Sequence, residues 1–137
     1  MRIRAILATA SFAALALPAH AFTAINGLDV NPVQGGFEVV SYGGDGPRQI
    51  WCAAGEYARA VHRVGGNQRI YISEGYGPSR TVRGKRGVSF TLSGKDGARP
   101  GTNGNYSVSM RKPGFNLAVA HAESFCSDVY DVDPWPL

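Results

Sequence analysis

Cys52 has the strongest claim to chemistry in this chain, because it falls at the beginning of a predicted helix. A thiol in that position is acidified by the helix dipole and can act as a nucleophile. It would need an imidazole to take its proton, and the chain beyond residue 21 offers His62 and His121. His121 closes the apolar run Ala118-Val119-Ala120-His121, which reads as a late strand. Cys52 with His121 would then define a cysteine-dependent hydrolase or amidase. Cys126 competes for the same sulfur. Two cysteines and no other thiol make a Cys52 to Cys126 disulfide the expectation in an oxidising compartment. A bridged Cys52 attacks nothing, so on that reading no residue is catalytic.

The run Ile50-Trp51-Cys52-Ala53-Ala54-Gly55 resembles the helix starts of bacterial cell-wall cysteine hydrolases, where small residues follow the cysteine. The resemblance ends with those residues. The aspartate before the cysteine, the Gly-His-Val strand and the third polar partner have no counterpart here.

Other chemistries lack their spacing. Two isolated histidines and two cysteines 74 positions apart do not form a zinc set. Asp128, Asp131 and Asp133 come without the glycine and distal glutamate of a calcium loop, and read as a solvated acidic tail. Gly84-Lys85 and Gly94-Lys95 lack both the earlier glycine and the following Ser or Thr of a phosphate loop. A Gly-x-Ser-x-Gly elbow does not occur. Neither metal nor cofactor is expected.

What remains is Arg80-Thr81-Val82-Arg83-Gly84-Lys85-Arg86, with Tyr71 and Tyr76 just before it. Cations beside aromatic rings hold anionic polymers through charge and stacking. Arg80, Arg83, Lys85 and Arg86 are therefore the candidate anion-binding residues, and an envelope polyanion is the ligand class if Arg83, Lys85 and Arg86 project together. A solvated turn is the competing reading, and a protein partner stays open.

Charge is unevenly distributed around this segment. All twelve basic residues beyond position 21 lie between Arg48 and Lys112, against only Glu56, Glu74 and Asp96 in that stretch. The remaining seven acidic residues lie outside it and can neutralise it internally.

The first 21 of 137 residues read as a secretory signal: Arg2 and Arg4, a largely apolar run from Ala5 to Leu17, then Pro18 and Ala19-His20-Ala21. That run is too short to span a bilayer, and no later stretch is longer. Residues 22 to 137 are expected as a single mature domain, periplasmic or secreted. A domain of this size buries one core with little reserve, so the disulfide would carry much of its stability.

Strand signals dominate the elements that must position these residues. Phe22 to Ile25 leads into the tight-turn pair Asn26-Gly27, and Leu28 to Val30 runs on to Pro32. Phe37, Val39 and Tyr42 share an extended run, and Ile70 to Ile72 forms another. Val88 to Leu92 alternates apolar with hydroxyl side chains, and Tyr106, Val108 and Met110 repeat the pattern. Leu117 to Ala120, apolar on both sides, suits a central covered strand. From Gln49 to Arg63, Trp51, Ala54, Ala58 and Val61 recur at helical spacing, and Gly65-Gly66 ends the helix. Ala53, Ala54 and Gly55 keep one end thin for close approach to a sheet. Ser93 to Gly104 reads as a mobile loop, and Pro134-Trp135-Pro136 as an irregular tail. The expected fold is α+β: one main helix across an antiparallel sheet of five or six strands, with a single disulfide tying the helix start to the C-terminal segment.

The Ala-rich signal, Phe22-Thr23-Ala24-Ile25-Asn26-Gly27-Leu28, the Trp51 to Ala58 run and Phe125-Cys126 together resemble small exported proteins of alphaproteobacteria. The resemblance implies the periplasm and a disulfide pairing, and brings no activity with it. A non-catalytic binding or structural protein of the cell envelope is the resulting expectation.

Overall fold

The computed structural model describes residues 21–94 and 108–129. The expectations placed on the leader, on most of the Ser93 to Gly104 loop, on Tyr106, Asp131 and Asp133, and on the Pro-Trp-Pro tail lie outside the described residues.

The fold is α+β. Six strands, β1 (Phe22–Thr23), β2 (Asp29–Val33), β3 (Gly36–Ser41), β4 (Arg69–Pro78), β5 (Arg86–Thr91) and β6 (Asn116–Ala118), form one sheet in the order β1-β2-β3-β5-β4-β6. Every pairing is antiparallel. Two helices, α1 (Pro47–Ala60) and α2 (Val119–Ser124), are followed by a 3-10 turn over Phe125–Val129.

The Asn26-Gly27 turn forms as its residues require: Gly27 takes φ 84°, and the Ala24 amide donates to Leu28 O at 2.8 Å. Asn26 Nδ2 donates to Gln49 O, which ties this hairpin to the first turn of α1. Pro47 opens α1, where its missing N–H costs nothing. The helix lies across the sheet with Ile50, Trp51, Ala54, Tyr57 and Ala58 buried against Val30, Phe37, Val39, Ile70, Ile72, Val88 and Phe90. Trp51 meets Phe90 edge-on at 4.9 Å, and its indole N–H reaches Ser109 O at 2.7 Å, so the largest core side chain carries no unpaired polar atom.

Four details depart from the sequence expectation. α1 ends at Ala60 with Val61 exposed, and the left-handed residue beyond it is Arg63, ahead of the glycine pair. Gly55, at the thin end of α1, faces a second helix and not the sheet: a β-carbon there would lie 2.9 Å from Ala122 Cβ. Leu117 to Ala120 is no central strand. β6 is a short edge strand, and the backbone turns into α2 at Val119, because Val119, Ala122 and Phe125 recur at helical spacing and bury together. Val108 to Met110 is not a strand either; its carbonyls at Ser109 and Met110 are taken by Trp51 and by the Tyr76 amide.

Candidate functional site

Three clasps join α1 to the C-terminal segment in antiparallel order. Arg48 forms a two-pronged bond to Asp128 at 2.6 and 2.8 Å, Cys52 is bonded to Cys126 with 5.0 Å between α-carbons, and Arg59 pairs with Glu123 at 2.7 Å. The helix period puts positions 48, 52 and 59 on one side of α1, facing the returning chain. The expected pairing of helix start with C-terminal segment is therefore present.

This arrangement removes the nucleophile. Both sulfurs are bonded, and Cys52 is buried. His121 stands on the exposed side of α2, with its ring 5.3 Å from Phe125; the expected strand placement fails because α2 begins two residues earlier. His62, past the end of α1, rests on the rings of Phe37 and Tyr57. Glu56 brings a carboxylate within 4.8 Å of both sulfurs, which superficially resembles a metal set. Disulfide sulfurs are not thiolates, and that donor set does not suit a cation. A cavity of about 510 Å³ beside Tyr71, lined also by Ile72, Ser73, Thr91 and Pro113, contributes hydroxyls but no base among the described residues.

The basic segment is an exposed turn tied down at its base. Its anchor is Glu38, a carboxylate on the sheet face away from α1 and only 1% exposed. It accepts from Ser79 Oγ at 2.6 Å, Thr81 Oγ1 at 2.7 Å, Arg80 N at 2.7 Å and Thr81 N at 3.2 Å. Ser79 Oγ in turn accepts from the amides of Thr81 and Val82, and Asn31 Nδ2 donates to Thr81 Oγ1. The segment then reverses at Gly84 (φ 80°), where a left-handed residue is needed, and enters β5.

The cations do not all project together. Arg80 leans toward Glu74 at 3.6 Å on an exposed surface. Lys85 lies over the Tyr42 ring at 5.4 Å, whereas Arg86, opposite Ser41 in the sheet, stacks on Tyr76 at 4.9 Å. Neighbouring residues entering a strand point to opposite faces, and this separates Lys85 from Arg86. Tyr76 thus joins the cation set as expected, but Tyr71 does not: its ring packs under Gly94.

Arg111 is the participant that sequence reasoning missed. Its guanidinium lies 5.2 Å from the centre of the same Tyr76 ring. Two backbone features bring it there: the Tyr76 amide donates to Met110 O at 2.9 Å, and Gly75 leaves room for the Arg111 carbonyl, which a β-carbon would approach to 2.1 Å. The only available signal was Gly75 beside an aromatic residue, which marks close backbone approach without naming the visitor. Among the described residues, Arg83, Lys85, Arg86 and Arg111 form no ion pair with a carboxylate.

No protein-family model, curated protein or solved structure matches this chain.

Proposed function

We propose that this chain is an exported, disulfide-braced domain of the cell envelope, periplasmic or secreted, that binds an anionic envelope polymer without catalysing a reaction. The observation carrying this reading is the Glu38 clamp. A buried carboxylate with four donors ties down Ser79 to Thr81, the base of the turn from which exposed Arg83, Lys85 and Arg86 emerge, with Lys85 and Arg86 on opposite faces of the sheet end. Preordered cations bind a polyanion with less entropic loss than a floppy turn would. The disulfide and the leader-like N-terminus support an oxidising, exported location. The bonded sulfur at Cys52 supports a role other than nucleophile.

Retention of the mature chain on immobilised heparin, falling steeply with salt, is the expected result. Retention unchanged after Arg83, Lys85 and Arg86 are replaced by alanine would remove the reading. Alkylation of Cys52 in the native, unreduced protein would restore the hydrolase.

A further inference from the structure

Resting on that reading, we infer that Arg86, Arg111 and Tyr76 form the recognition point for a tetrahedral oxyanion, a phosphate or sulfate ester carried on a glycan chain. Both guanidinium carbons lie within 5.2 Å of one ring centre, which puts them no more than about 10 Å apart. Two like charges gathered on one ring repel each other, and neither has a carboxylate partner among the described residues. An anion seated against both relieves that repulsion and gains charge-assisted hydrogen bonds from two planar forks.

The two stems are held from opposite directions. Arg86 is fixed by the pairing of β5 with Ser41 on one side and Pro78 on the other. Arg111 is fixed by the Met110 to Tyr76 hydrogen bond and the close approach at Gly75. The ring of Tyr76 is half-buried against the core, so both guanidiniums rest on a fixed surface.

The structure favours a polymer over a bilayer. Exposed large apolar residues among those described are Ile25, Tyr42 and Val61, and only Tyr42 belongs to the cation-bearing end of the sheet, where its ring lies under Lys85. Among the described residues no apolar wedge is thus available to enter lipid beside these cations. Lys85 on the opposite side of the sheet end offers the same chain a second point of attachment.

The decisive comparison uses the mature chain and the double variant R86K/R111K, which keeps both charges and loses both forks. Heparin affinity should fall by about tenfold or more with the salt dependence nearly unchanged, because charge number sets that slope and fork geometry does not. Y76F, which retains the ring, should bind like the parent, and Y76L should lose affinity as the double variant does. Parent-like affinity in R86K/R111K, with the parent itself retained, overturns the inference and leaves the broader reading standing. Failure of the parent to bind heparin overturns both. Capture by phosphatidylglycerol vesicles but not by heparin overturns the glycan as ligand.

Discussion

The carboxylate of Glu38 occupies the space that a side chain on Gly87 would fill: a β-carbon there would lie 2.8 Å from Glu38 Cδ. Glu38 and Gly87 belong to adjacent strands, so a glycine on β5 makes room for a charge on β3. G87A should therefore strain the buried carboxylate and destabilise the fold by about 1 to 3 kcal/mol, the usual cost of overpacking. The urea midpoint of the variant measures this. An unchanged midpoint would mean that Glu38 can move aside, and the clamp would be looser than its hydrogen bonds indicate.

Removing the carboxylate tests the clamp from the other side. E38A leaves the Ser79 and Thr81 hydroxyls and the Arg80 amide without their Glu38 acceptor, and the Thr81 amide with Ser79 Oγ alone, a loss of about 1 to 3 kcal/mol. Local release should exceed global loss. Limited trypsin digestion reads this directly, because Arg80, Arg83, Lys85 and Arg86 are all cleavage points. Cleavage between 80 and 86 should be slow in the parent and markedly faster in E38A.

The elements that build this clamp were unequally legible. The alternation of Val88 to Leu92 and the helical spacing of Trp51, Ala54 and Ala58 each report a single buried face, and both reappear as β5 and α1. The disulfide followed from the count of two cysteines together with an expected oxidising compartment. The role of Glu38 was invisible, since a lone acid among apolar residues announces nothing until the chain returns from 41 or more residues away to supply its donors. The turn of His121 onto a helix was obscured because Val119, Ala122 and Phe125 carry a helical period over too few residues to outweigh the apolar run before them. Arg111 lay beyond reach for the same reason as Glu38: its partner ring is distant in sequence.

Breaking the disulfide should cost about 2 to 5 kcal/mol, because Cys52 and Cys126 close a long loop in the unfolded chain. The double serine variant should show a lower urea midpoint with the sheet signal in far-UV circular dichroism preserved at low denaturant. The Arg48 to Asp128 and Arg59 to Glu123 pairs are too exposed to replace it. A midpoint equal to that of the parent would show that the bridge is dispensable to the scaffold.

Two exposed pairs make small pH-dependent contributions to stability. The Tyr42 phenol donates to Asp29, which holds its pKa above the ordinary value of 10.0, through that hydrogen bond first and burial second. Its small stabilising contribution is complete below the ordinary phenol range and is lost as pH rises through the higher folded value. At the acid side, the Arg48 bond holds the Asp128 carboxyl below 3.8. That contribution is present above the ordinary carboxylate range and disappears as pH falls through the lowered value. Tyrosinate absorbance of the parent minus that of Y42F should isolate the raised titration, and D29N should bring it back toward 10.0. A Tyr42 titration unmoved by D29N would break the assignment.

The setting of Cys126 predicts which reductants can open the bridge. Cys52 is buried, whereas Cys126 is half-buried and lines an open groove of about 350 Å³ together with Glu56, Glu123, Ile25 and Ser127. A thiolate therefore reaches the sulfur of Cys126 past the Glu56 carboxylate, which lies within 4.8 Å of the bond it attacks, while the neighbouring Glu123 is paired with Arg59. Exchange proceeds by attack of a thiolate on one sulfur, and like charge along its path slows it. Cysteamine, which carries an ammonium group, should reduce the bridge faster than mercaptoacetate after correction for thiolate fraction. The gap should narrow in E56Q and at high salt. Equal corrected rates for the two thiols in the parent would place the attack elsewhere, on the buried sulfur after local opening.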